Sequence, residues 1–325
     1  MITKSFIFIT LCVFIYSFTK IKSDNPNHFP EPYLPEYNQL SEARIKLGEK
    51  LFFDPILSRD STISCSTCHN PAYAFTDRKE KALGIKGSMV NRNTPTLTNV
   101  AYNNSFMLDG VNPSLENQAI VPFHEKNEFD LHILIAADRL LNDSDYVDLS
   151  IRAYNENPSP FVITSALASF QRTLISGNSK YDKHITKNVD LSELEAKGKD
   201  LFFNKLHCTE CHSGFNFTNY SLTNNGLYEV YPDSGRIRLT GNQKDKGVFK
   251  VPTLRNIEIT YPYMHDGSIK SLENVIHHYM SGGKNHANKH EILKPFILNN
   301  YEVKSLISFL KTLTDTSFIN LYSSK

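Results

Sequence analysis

Tryptophan is missing altogether from the 325-residue chain, and cysteine is nearly so, with five in all. Cys12 sits in an apolar leader, and the other four fall into two motifs, Cys65-Ser66-Thr67-Cys68-His69 and Cys208-Thr209-Glu210-Cys211-His212. No cysteine is left over for the separate disulfide framework that an exported chain would ordinarily build. Charge of one sign is lacking too: 35 Lys and Arg face 34 Asp and Glu, a formal charge of +1. That balance offers no basic surface to a nucleic-acid partner. The leader's apolar run, Phe6 to Phe18, is short for a membrane span, which needs about 20 residues. With Lys4 before it and polar residues after, it reads as a secretory signal peptide over residues 1–23, an N-terminal anchor being the alternative. No small-x-small pair before Asp24 fixes the cleavage point.

Strand-like alternation is scarce as well, whereas apolar residues recur at helical spacing over 130–141, 161–175 and 303–313, so the expected fold is all-α. The Pro- and Gly-containing stretches 84–112 and 226–267 follow neither period and suit chain wrapped around a cofactor.

What the chain does contain is its own echo. Leu47-Gly48-Glu49-Lys50-Leu51-Phe52-Phe53 precedes the first motif, and Lys197-Gly198-Lys199-Asp200-Leu201-Phe202-Phe203 precedes the second. Ser192 and Glu195 stand at capping-box spacing before the second run, predicting a short helix whose Leu-Phe-Phe end packs beside the cysteines. Pro95-Thr96-Leu97, Asn99, Met107, Asp109-Gly110 and Ser114-Leu115-Glu116-Asn117 then recur as Pro252-Thr253-Leu254, Asn256, Met264, Asp266-Gly267 and Ser271-Leu272-Glu273-Asn274, every pair 157 residues apart. A shared offset over so many positions marks two copies of one unit, expected at 24–178 and 179–325.

Two thiols three positions apart can each add to a vinyl group of one porphyrin, and the adjacent histidine then faces the iron as its proximal ligand. Zinc is the rival, but each motif is only half a zinc site, and the two would have to converge on one metal. Because the duplication gives each motif its own unit, two covalent haem c groups are expected. One belongs to Cys65, Cys68 and His69, the other to Cys208, Cys211 and His212.

The segments LFFDPILSRDSTISCSTCHNP, RNTPTLTNV, LENQA, VPTLRN and YPYMHDGS, with the motifs about 140 residues apart, resemble the bacterial di-haem cytochrome c peroxidases and their relative MauG. The resemblance covers nearly the whole chain after the leader. It implies two cytochrome-c-like domains with long irregular loops around two c-type haems. The first haem would react with peroxide, the second would transfer electrons, and a calcium ion would lie between them.

Residue by residue, the resemblance places the family's acid/base glutamate at Glu128, which by itself would read as a solvated loop carboxylate. It places Ile85 where peroxidases needing reductive activation carry a distal histidine, so the first haem is expected to be open on that side. The distal ligand of the second haem falls on Tyr279, with Met280 beside it; the family uses methionine in peroxidases and tyrosine in MauG. Calcium maps to the Asn93 side chain and the carbonyls of Thr260 and Pro262, oxygen donors suited to a hard cation. Leu108 stands where the family has a tryptophan between the haems. His124, four residues before Glu128, is expected to face the same pocket, and His265 to border the second haem.

The implied function is a periplasmic di-haem peroxidase that reduces hydrogen peroxide with electrons from a small donor protein, a cytochrome c or a cupredoxin. The family also suggests a homodimer. One rival is a MauG-like oxidase acting on a protein substrate, towards which Ile85 and Tyr279 lean. The other is a non-catalytic di-haem electron carrier, which needs two six-coordinate irons and is opposed by Ile85.

Overall fold

The computed structural model describes residues 26–323; the signal-peptide reading lies outside the described residues. Among those, no helix is long and apolar enough to cross a membrane.

The first half supplies α1 (Glu42–Phe53), α2 (Cys65–Cys68), α3 (Leu115–Ala119), α4 (Val121–His124), α5 (Ile133–Leu141), α6 (Ser144–Tyr154) and α7 (Pro160–Gln171). The second supplies α8 (Lys180–Lys187), α9 (Glu193–Asp200), α10 (Ile237–Thr240), α11 (Leu272–Met280), α12 (Asn300–Lys311) and α13 (Thr316–Ser323). Two short strands, β1 (Leu222–Thr223) and β2 (Phe249–Lys250), pair antiparallel with Leu222 opposite Lys250. The fold is therefore mostly helical, as the periodicity implied, and the three helices expected from it are α5, α7 and α12. Their starts are set by caps rather than by the apolar stripe. Ser159 and Pro160 open α7, and an Asn299–Glu302 capping box opens α12 upstream of Val303.

The capping box expected at Ser192 and Glu195 does open α9. That helix continues into a π turn over Leu201–Lys205, which swings Leu201 and Phe202 into the second core. In the first half, Ser41 caps α1, and Leu47, Leu51 and Phe52 enter the first core with Ile163, Leu167 and Phe170 of α7. The two halves cross their helices in the same way. A Cβ on Gly48 would lie 1.9 Å from the Ala166 carbonyl oxygen of α7, and one on Gly198 would lie 1.9 Å from that of Ser305 in α12. Each glycine lets two backbones approach where no side chain fits.

Echoed residues also meet across the halves. The Asn93 N–H donates to the His265 carbonyl at 2.9 Å, and the Lys250 N–H to the Leu108 carbonyl at 2.7 Å; each donor and each acceptor is the other's counterpart 157 residues on. Asn99 and Asn256 are both buried in left-handed backbone, φ 57° and 60°. Their side-chain oxygens accept from the N–H groups of Ser176 and Asp315 at 2.7 and 2.8 Å. The Asn99 amide donates to Asn216 Oδ1 at 2.9 Å and that of Asn256 to Ser176 Oγ at 3.1 Å, forming a buried polar seam between the units. Helix α13 then returns to the first core, where Phe318 and Tyr322 pack on Phe75 with ring centroids 5.8 and 5.4 Å away.

Candidate haem sites

Each Cys-x-x-Cys-His motif is a tight turn that ends on its histidine. Thr67 Oγ1 accepts from the Ser64 N–H at 3.0 Å and starts α2, while the second motif forms a single 3-10 turn over Cys208–Glu210. The His69 ring holds Nδ1 3.0 Å from the Phe75 carbonyl, and the His212 ring holds Nδ1 3.1 Å from that of Phe217. An imidazole pinned through Nδ1 presents Nε2 as its ligand atom. Burial opposes protonation of both rings and pushes His212 down to about 4, so each is the neutral base that iron requires.

The four thiols are unpaired. Burial pushes Cys65, Cys68 and Cys208 up to about 12 and raises Cys211 as well. They do not gather on one centre: among the described residues no cluster of three or more His, Cys, Asp or Glu could hold a metal ion. Beside the second motif lies a cavity of about 850 Å³ lined by Cys208, Cys211, His212, Ile276, Tyr279 and Leu306, among others, a size suited to a cofactor. Paired thiols, a pinned neutral imidazole and a cavity of cofactor size fit a covalently held porphyrin.

Around the first site, Ile85 is 1% exposed and donates its N–H to the Glu128 carbonyl at 3.2 Å. Gly84 fits closely here, since a Cβ on it would meet the Asn127 carbonyl oxygen at 1.9 Å. Burial, with the nearby charge of Glu125, pushes the Glu128 carboxyl up to about 7, and the charge of Glu128 is felt in turn at Cys65 and Cys68. His124 does not join this group. It is exposed at the end of α4 and meets His132 edge-on at 5.1 Å.

Around the second site, Tyr279 lines the cavity while Met280 packs against the second core. Burial pushes the Tyr279 phenol up to about 12, and a hydrogen bond from Asn225 acts in the opposite direction. His265 borders the cavity and stacks on Phe249 at 3.9 Å.

Between the halves, Asn93 Nδ2 donates to the carbonyls of Lys79 and Glu80 at 2.8 and 3.3 Å, leaving Oδ1 as its acceptor. The neighbouring Arg78 donates Nε to the Ile259 carbonyl at 3.0 Å and lies over the Tyr261 ring at 4.8 Å. The 78–80 loop thus gathers Asn93 and the segment carrying Thr260 and Pro262. Arg255, which sequence reasoning passed over, is 1% exposed and forks onto both oxygens of Asp182 at 2.9 Å. Its only sequence signal is its place in VPTLRN.

Fold and paired sites together define a di-haem c-type oxidoreductase. Residues 42–190 match the family described as di-haem cytochrome c peroxidase, and residues 195–314 match cytochrome c. The methylamine utilization protein MauG of Methylorubrum extorquens is 36% identical over 299 residues, covering 90% of this chain and 84% of that protein. Cytochrome c551 peroxidase of Nitrosomonas europaea is 35% identical over 287 residues, covering 86% and 81%. A crystal structure of a MauG-like protein associated with microbial copper homeostasis aligns with a TM-score of 0.87 at 32% identity, covering 91% of this chain and 96% of that one. The chain belongs to the di-haem cytochrome c peroxidase and MauG family.

Proposed function

We propose that the protein reduces hydrogen peroxide at the first site, in the periplasm, with electrons that enter through the second. The observation that carries this reading is the contact of Ile85 with Glu128: a residue unable to bind iron donates its backbone N–H to the carbonyl of the residue whose carboxyl is pushed up to about 7. The haem, when bound, supplies an iron able to take peroxide and exchange electrons with it.

The protein's own groups do the rest. Phe75 fixes the His69 ring through Nδ1, so that Nε2 is presented to the metal. Glu128 takes a proton from the near peroxide oxygen and returns it to the far one, so that the O–O bond breaks heterolytically and the far oxygen leaves as water. A carboxyl that titrates near neutral pH can both accept and give that proton. Two electrons and two further protons complete the conversion to a second water. The electrons arrive one at a time from a small soluble cytochrome c or cupredoxin.

At the second site Tyr279 is the proposed distal ligand in preference to Met280, because it is the residue on the cavity wall. A calcium ion held by Asn93 Oδ1 and the carbonyls of Thr260 and Pro262 would sit between domains divided near residue 178, in a chain that forms a homodimer.

A second reading is favoured by the same Tyr279 placement: a MauG-like oxidase that modifies a side chain of a partner protein. Peroxide-dependent oxidation of reduced cytochrome c or cupredoxin tests the first reading. Failure with every small donor, together with oxidation of a partner protein, would establish the second.

A further inference from the structure

Among the described residues, Lys250 is a cation without a counter-ion at the wall of the second cavity. It ends β2 and lines the cavity with Cys208, Cys211, His212 and Tyr279. Its backbone N–H is held by the Leu108 carbonyl at 2.7 Å, and its Nζ donates to the Ser105 carbonyl, also at 2.7 Å. The Phe106 ring lies 5.9 Å from the same ammonium.

Among the described residues no carboxylate pairs with Lys250, whereas Arg92 is matched by Asp109 and Asp233, Arg172 by Glu116 and Arg255 by Asp182. Of the other lysines on the cavity wall, Lys205 pairs with Glu302 and Lys294 is exposed to water. Burial alone draws the Lys250 amine down to about 8, the response of a charge that the chain itself does not compensate. A partly desolvated ammonium needs an opposite charge, and one carbonyl supplies only a dipole.

A haem joined to Cys208 and Cys211 through its vinyl groups keeps two free propionate carboxylates. We propose that Lys250 is the anchor for one of them, a charge-assisted ion pair completed only when the second haem is attached. The inference rests on the assignment of that haem to Cys208, Cys211 and His212. Because both of the carbonyls holding Lys250 belong to the first half, the anchor would tie the second haem's carboxylate to the first unit, beside Leu108.

The test uses the full, haem-loaded protein and its K250M and K250R variants. Mass spectrometry first counts haems; a parent lacking haem at Cys208 and Cys211 would sink the underlying assignment, separately from the anchor. Spectroelectrochemical titration then reads the second haem. Removing the cation favours the ferric state, so K250M should raise the ferric-to-ferrous ratio at fixed potential about tenfold, a midpoint lowered by about 59 mV for one electron. K250R should stay within about twofold of the parent. A K250M protein that unfolds at lower temperature but keeps its midpoint would show that Lys250 is only a strut, and the proposal would be wrong. Should K250M fail to mature, resonance Raman spectra of the parent and K250R decide. The propionate bending band should shift as the partner changes from ammonium to guanidinium, and an identical band would overturn the anchor.

Discussion

The backbone N–H of Ile85 donates to the backbone carbonyl of Glu128 at 3.2 Å, so a residue that cannot ligate iron is fastened to the main chain of the residue whose carboxyl is proposed to move the peroxide proton. The contact joins two loops distant in sequence. On the proposed reading, the open distal face and the proton shuttle would share that one backbone contact.

Peroxide should therefore react at once with the fully ferric protein, without prior reduction of the second haem. Ile85→His should impose a sixth ligand and a requirement for pre-reduction. Rapid mixing followed by optical spectroscopy reads both. A parent protein silent towards peroxide until reduced would mean that another side chain caps the iron.

Replacing Glu128 by Gln should slow the peroxide reaction by about a hundredfold or more, since general acid–base catalysis contributes roughly that factor. The carboxylate is the form that accepts the first proton, and burial pushes its pKa up to about 7. The parent rate should accordingly fall as pH drops through about 7, whereas the glutamine variant should be flat there. Equal pH profiles would remove Glu128 from the shuttle.

Tyr279→Phe should change the electron paramagnetic resonance signature of the second haem, and Met280→Leu should leave it intact, because only the tyrosine lines the cavity. The opposite pattern would give the ligand to Met280.

Calcium affinity should fall at least about tenfold in Asn93→Ala, whose Oδ1 is a proposed ligand for a hard cation. Isothermal titration of calcium into the metal-free holoprotein measures it. An unchanged affinity would place the ion elsewhere.

Gly48→Ala and Gly198→Ala should each lower stability by about 1–3 kcal/mol or more, the usual cost of overpacking. In both cases the added methyl would meet a carbonyl oxygen at 1.9 Å. Thermal unfolding of the two variants is the measurement, and a neutral result at either site would mean that the helix pair there can part without cost.

The haem motifs were legible because their chemistry is local: thiols and imidazole must be near neighbours in sequence to reach one porphyrin. The echoed glycines were legible as a repeat, but their reason, Gly48 against Ala166 and Gly198 against Ser305, involves helices far apart in the chain. Lys250 gave no signal of its own, since an unmatched charge shows only when its whole surroundings are known. Arg255 and Asp182, 73 residues apart, were hidden likewise. A four-residue spacing brings His124 round to Glu128 only along a continuous helix. Helix α4 in fact ends at His124, and the backbone turns before the glutamate is reached.

Helix α13 carries Phe318, Ile319 and Tyr322 into the first core. Synthesis runs from the N-terminal side, so the hydrophobic interior begun in the first half is closed by residues made only after the second motif and α12. The order of manufacture and the order of completion are therefore reversed. A chain cut short before Thr316 would present its first thiol pair in a half that lacks one of its walls.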